Sequence, residues 1–178
     1  LPLRRVKYDD AIAKYGSDKP DLRFDMEIND ITHIFNNTEF TIFKNVILEG
    51  GIINAIVVKN AADKYSRKDL DKLTEYVKTY KASGLAYIKY NDEISGSIIK
   101  VISENEINNL KNSLDIKNND LDLIISGKYN VVKTSLGALR CKLAKDLDLI
   151  KKDEYKLLWV VDFPSFEWSE EENRFMAC

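Results

Sequence analysis

The sequence predicts an α+β fold: an antiparallel sheet with helices packed on one face, in the order strand, strand, helix, strand, strand, helix. Three observations carry this. Short β-forming or apolar runs recur at 39–43, 52–58, 85–90, 94–102 and 121–126. Two Ser-x-x-acid patterns, Ser66–Asp69 and Ser103–Glu106, open amphipathic helices beside them. Turn residues at Asn36–Asn37, Glu49–Gly51 and Asn91–Asp92 separate the runs.

Leu1–Lys7 reads as extended. Asp9 can cap a short helix through Tyr15. Gly16 then ends that helix in the left-handed conformation, and Pro20 forbids helix through Lys19. Glu27–Phe35 reads as a second helix, with Ile28, Ile31 and Phe35 on one face and His33 off it. Glu39–Phe43 alternates like a strand, and Ile52–Val58 is a short apolar run; the two are expected to form a hairpin.

Ser66 opens the clearest helix, in which Leu70, Leu73, Val77 and Tyr80 make one stripe and Gly84 is the expected C-terminal cap. Leu85–Tyr90 and Ile94–Ile102 form the second expected strand pair. Ser103 starts a helix with Ile107, Leu110 and Leu114 on its apolar face. Leu121–Ser126 is a further strand. Asn130 is the expected cap of a long helix to about Leu147, aligned on Val132, Leu136, Leu139, Leu143 and Leu147. Gly137 inside it costs about 1 kcal/mol relative to alanine, so a close approach by another element is expected there. Leu157–Phe163 reads as a strand buried on both faces, stopped by Pro164. Phe166–Trp168 and Phe175–Ala177 read as a hairpin around Glu170–Asn173. A return strand cut off at Cys178 is an exposed edge, which suggests a piece of something larger.

The composition excludes several classes. With 178 residues, 44% hydrophobic and 31% charged, the chain can bury a core as one domain or one domain with flanks. Its net charge of −2 gives no global pull toward nucleic acid or membrane. No run approaches the roughly 18 apolar residues of a membrane span, and nothing resembles a signal peptide. Cys141 and Cys178 fit a reducing compartment better than a disulfide, and two cysteines with one histidine cannot build the usual Cys/His zinc cage. The glycine-rich phosphate-loop patterns are absent. Lysine outnumbers arginine, with abundant Asn and Ile, which reads as coding bias.

Three constellations invite chemistry, and each has a plainer reading. Asp162 and Glu167 could be a carboxylate pair, but hairpin polarity explains both. Tyr76, Tyr80, Tyr87, Tyr90 and Tyr129 could stack on bases, but core packing with a polar tip fits their spacing. His33 as a general base lacks a local partner.

One stretch is more specific. Tyr15–Gly16–Ser17–Asp18–Lys19–Pro20–Asp21–Leu22–Arg23 is a fixed polar loop that presents Asp18, Lys19, Asp21 and Arg23 within six residues. This string resembles the segment after the second class II motif of bacterial-type aspartyl-tRNA synthetases. Gly84–Leu85–Ala86–Tyr87–Ile88 resembles a strand inside that family's insertion domain. The run Leu158–Trp159–Val160–Val161–Asp162–Phe163–Pro164–Ser165–Phe166–Glu167 resembles its strand of return to the catalytic domain. Gly137–Ala138–Leu139–Arg140 also fits. Ser165 departs from the pattern, where a larger apolar residue is usual. The resemblance runs from about Val6 to Ala177.

What the resemblance implies is concrete. The parent joins aspartate to tRNA with ATP and magnesium through an aspartyl-adenylate. The arginine of the second motif would lie upstream of Leu1, the third motif beyond Cys178, and the family's histidine pair just after Cys178. The chain would hold the insertion between motifs two and three, known as a GAD domain. Residues 1–24 would be a catalytic-domain flank, 25–128 the insertion, and 129–178 the return helix and strand. No catalytic, ATP-binding or metal residue is expected within the chain, and no cofactor; by itself it should be inactive. Asp18, Lys19 and Arg23 are the candidate tRNA-contact or domain-orienting loop. The parent is expected to be a cytoplasmic homodimer without membrane attachment. The competing reading is a non-enzymatic interaction module of a tRNA-dependent amidotransferase subunit. An independent small enzyme would need a nucleophile or base constellation that the sequence does not offer.

Overall fold

The structure is a computed structural model that describes residues 3–169 and 172–177. Its centre is a five-stranded antiparallel sheet in the order β2–β3–β6–β4–β5. The strands are β2 (Asn29–Asp30), β3 (Ile52–Val58), β4 (Ala86–Tyr90), β5 (Ile94–Gly96) and β6 (Asp120–Gly127). β6 is central: Ile52 to Val58 pair with Gly127 to Leu121 on one side, and Ala86 to Tyr90 with Ile124 to Asp120 on the other.

The α+β class and the antiparallel sheet are as the sequence predicts, but the helices cover both faces, not one. The alternation along the middle strands shows why. Ile56, Val58, Leu121, Leu123 and Ile125 belong to one core cluster, while Ile53, Ala55 and Ile124 belong to another. With apolar residues on both sides of the pleat, both faces need cover. α3 (Arg67–Lys78) and α5 (Tyr129–Asp146) close the first face through Leu70, Leu73, Val77, Val132, Leu136, Leu139 and Leu143. α2 (Thr41–Leu48) and α4 (Glu104–Ser113) close the second through Phe43 and Leu110.

Both capping boxes form. The Ser66 and Ser103 hydroxyls accept from the backbone of Asp69 and Glu106, whose carboxylates return to the cap residues. Other expectations change. Glu27–Phe35 is not a helix: Asn29–Asp30 pairs with β3, and only Thr32–Phe35 makes a 3₁₀ turn. Its apolar residues are buried as expected, but by an irregular path. Glu39–Phe43 is no strand; Thr41 begins α2, because Phe40, Phe43 and Ile47 recur at helical spacing against the second core. The expected hairpin with β3 is therefore replaced by the β3–β6 pairing. β5 ends at Gly96, whose Cβ would sit 2.3 Å from the Tyr87 carbonyl.

The expected caps also move. α3 stops at Lys78, and Lys81, not Gly84, takes the left-handed conformation (φ 70°). Lys7 and Lys128 precede α1 (Tyr8–Tyr15) and α5, neither with a side-chain cap; Asp9 and Asn130 lie inside the helices.

β1 (Arg4–Lys7) pairs in parallel with β7 (Leu158–Val161). β7 is not buried on both faces, since Trp159 is 60% exposed. β8 (Phe166–Ser169) and β9 (Arg174–Ala177) form the expected hairpin. Glu170 and Glu171, where the sequence predicts the turn, and Cys178 lie outside the described residues.

Candidate functional site

The loop singled out by sequence sits on one face of α5. α1 runs into Gly16, which adopts φ 68° and ψ 22° and returns its N–H to the Ile12 carbonyl at 3.0 Å. A side chain is impossible there: a Cβ would stand 2.1 Å from the Lys133 carbonyl and 2.8 Å from Gly137 Cα. The converse holds at Gly137, where a Cβ would stand 2.7 Å from the Gly16 carbonyl. This is the close approach that the helix-interior glycine implies. Lys133, one turn before Gly137, sends its ammonium to the Ala13 carbonyl at 2.8 Å.

The loop then folds on itself. The Lys19 N–H donates to Ser17 Oγ at 3.0 Å. Arg23 donates three times to Asp21: from its backbone at 3.1 Å, from Nε at 2.9 Å and from Nη2 at 2.7 Å. That grip holds the Asp21 carboxyl below the usual carboxylate range, the Arg23 side chain being the largest cause.

Beneath lies Arg140, only 1% exposed. Its Nε donates to the Met26 carbonyl at 2.8 Å and its Nη2 to the Asp21 carbonyl at 3.0 Å. The guanidinium lies 4.4 Å from the Phe24 ring centroid and 5.0 Å from that of Tyr15. Tyr15 in turn donates to Glu27 at 2.9 Å. Burial pulls Arg140 down from its ordinary value.

The three predicted loop residues therefore part company. Arg23 is committed to Asp21. Asp18, half-buried, and Lys19, exposed, stand at the tip, and neither side chain has a hydrogen bond or ion pair among the described residues. The sequence shows the Gly137–Arg140 match but not that Arg140 grips the loop. The available signal is the spacing of Lys133, Gly137 and Arg140, which places them on one helix face.

The tyrosines divide: Tyr90 lies in the core as the plainer reading has it, while Tyr129 is 46% exposed. Tyr76 and Tyr80 meet at their hydroxyls, 3.3 Å apart. His33 is exposed on the 3₁₀ turn. Asp162 lies 3.8 Å from Lys7 with both side chains exposed, and the side chain of Glu167 lies outside the described residues. Among the described residues, no three His, Cys, Asp or Glu side chains gather as metal ligands. A cavity of about 570 Å³ opens beside Gly16, bordered by Tyr8, Asp9, Tyr129, Lys133 and Trp168. Its lysine already serves the Ala13 carbonyl, and Asp9 makes it a poor anion site. No helix among the described residues is long and apolar enough to cross a membrane.

Comparison with known proteins places this geometry. The chain is 51% identical over 178 residues to an aspartate–tRNA ligase of Clostridium botulinum (strain Kyoto / Type A2), covering 99% of this chain and 30% of that protein. It is 49% identical over 179 residues to an aspartate–tRNA ligase of Streptococcus agalactiae serotype Ia, covering 100% of this chain and 30% of that one. The chain thus spans about 30% of the length of these relatives. The resemblance seen in the sequence extends over nearly the whole chain. Residues 43–136 match the family model described as GAD domain, from within α2 to within α5. The chain belongs to the GAD domain family.

Proposed function

We propose that this chain is the insertion segment of an aspartate–tRNA ligase, with pieces of the catalytic domain on either side. The observation that carries the reading is where the similarity lies. It covers 99% of the chain, well outside residues 43–136 of the GAD domain. The loop at 15–23 and the strand at 158–161 have no reason to accompany a GAD domain serving as an interaction module of an amidotransferase subunit. The surface supports the same reading. Trp159, Phe163, Phe166, Trp168 and Phe175 are each at least half exposed on or beside β7–β9, a concentration of apolar area that fits a buried interface.

In this reading the whole enzyme, a cytoplasmic homodimer, aspartylates tRNA with ATP and magnesium bound outside this segment. The arginines and glycines that the class II resemblance assigns to ATP are expected outside this segment. The segment gives Asp18, Lys19 and Arg23 as a loop that orients the insertion or meets the tRNA. Two assays test the assignment. The purified 178-residue chain should give no aspartate-dependent ATP–pyrophosphate exchange above a heat-killed control; measurable exchange would overturn the insertion reading. In the full-length enzyme, Lys19→Ala and Arg23→Ala should lower transfer to tRNA by about tenfold, or about 1.4 kcal/mol of barrier, with a smaller loss in exchange. Equal losses in both would assign the loop to adenylate chemistry or folding.

A further inference from the structure

We propose that Arg140 is the positioning residue of the Ser17–Arg23 loop, fixing from beneath the direction in which the loop presents Asp18 and Lys19. A guanidinium is effectively always charged and is costly to bury without a partner. Arg140 is buried to 1% exposure, yet the Asp21 carboxylate, whose charge reaches it, is gripped by Arg23 instead. The hydrogen bonds of Arg140 to protein carbonyls go to Asp21 and Met26, and its faces meet Tyr15 and Phe24. Every one of these groups belongs to residues 15–26. An apolar side chain would fill a core site at lower cost. The fork supplies direction, because a planar guanidinium with donors at fixed angles holds these two carbonyls, five residues apart, in one relative orientation.

The charges form a relay. Arg140 holds the Asp21 carbonyl and its field favours the Asp21 carboxylate. That carboxylate holds Arg23. Lys133 and Gly137 seat the preceding helix end on the same face of α5. The tip at Asp18 and Lys19 is thereby strung between two anchors, Gly16 on Gly137 and Asp21 on Arg140. Any effect on tRNA transfer rests on the function proposed above; the anchoring does not.

The test uses the full-length enzyme carrying Arg140→Lys, which keeps the charge but loses the fork and the stacking plane. Hydrogen–deuterium exchange should rise by about tenfold or more across 17–26, while α3 and β6 stay protected as in the unaltered enzyme. Transfer to tRNA should fall more than pyrophosphate exchange, and adding Arg23→Ala should lower it no further than Arg23→Ala alone. In Arg140→Ala, added methylguanidinium should restore protection at 17–26. If Arg140→Lys does not fold, Phe24→Leu, which removes one stacking face, should loosen the same segment. Unchanged exchange at 17–26, or protection lost throughout the sheet, would overturn the proposal. A loosened loop with transfer intact would support the anchoring and count against the function assigned to the loop.

Discussion

Asp122 is the residue whose surroundings make the sharpest demand. It sits in the central strand β6, opposite Ile88 of β4, with no exposed surface, and neither carboxyl oxygen meets a side-chain hydrogen-bond partner, the Leu123 backbone N–H giving its charge only partial relief. The Tyr90 hydroxyl nearby is buried and unpartnered. Burial pushes the Asp122 carboxyl up to about 8, against about 3.9 in an unfolded chain. Between those values the folded state binds more protons, so its stability falls as pH rises. The carboxyls lowered by their partners, Asp21, Asp69 and Asp115, act in the opposite sense but below that window, where acid removes their contribution. Urea midpoints should therefore drop from pH 5 to pH 8.5. Asp122→Asn, which cannot ionise, should flatten that slope and be the more stable protein at pH 8.5. Parallel slopes for the two proteins would mean that Asp122 stays ionised in the fold.

At the scale of elements, α3 and α5 supply the helical side of the first core. Leu73 is 2% exposed under α3, so Leu73→Ala should cost about 2–5 kcal/mol. Lys72→Ala, on the solvent side, should stay within about 0.5 kcal/mol. Similar denaturation midpoints would mean the helix face is turned. Gly137→Ala tests the crossing with α1. Helix propensity alone favours alanine by about 1 kcal/mol, but the new Cβ would meet backbone carbonyls of Tyr15 and Gly16 at 2.8 and 2.7 Å. A net loss of about 1–3 kcal/mol is expected from forced separation, read as a lower melting temperature. What the sequence reveals follows from how local each determinant is. α3 and α4 are legible because capping box and stripe lie within one segment. α2 is not, since Glu39–Phe43 is too short for its period to separate strand from helix. The 27–35 segment shows its burial but not its path, which β3 dictates. β7 shows an apolar run, yet its partner β1 lies some 150 residues away, leaving its outer face open. In the site, Gly16, Pro20 and the polar loop are local and legible. The Arg140 fork is not, because its carbonyl partners lie more than 110 residues earlier.

At the scale of the whole molecule, the question is whether this chain grips RNA by itself. Phosphate contacts need clustered, uncommitted Lys and Arg, since each neutralised phosphate releases counterions. The net charge is −2, and residues 36–127 hold 12 Lys and Arg against 13 Asp and Glu. The fold disperses the basic charge further. Lys59 binds Asp120, Lys72 binds Asp69, Lys78 binds Glu75, Lys117 binds Asp115 and Lys142 binds Asp146. These five lysines are thus partnered by carboxylates, and Lys133 and Arg140 are buried. Lys19 at the loop tip and Arg67 and Lys68 at the start of α3 are exposed without a carboxylate ion pair among the described residues, but Arg67 and Lys68 are followed at once by Asp69 and Asp71. The isolated chain should bind tRNA no more tightly than the non-specific range of about 10⁻⁴–10⁻⁶ M at physiological salt. Under the proposed function, the same weak contact would act at high effective concentration once the rest of the full-length protein holds the tRNA. A titration of the chain with labelled tRNA at about 150 mM salt, repeated with a non-cognate tRNA, decides between the two behaviours. Micromolar or weaker binding without preference is expected; nanomolar, selective binding would make the segment an RNA-recognition domain in its own right.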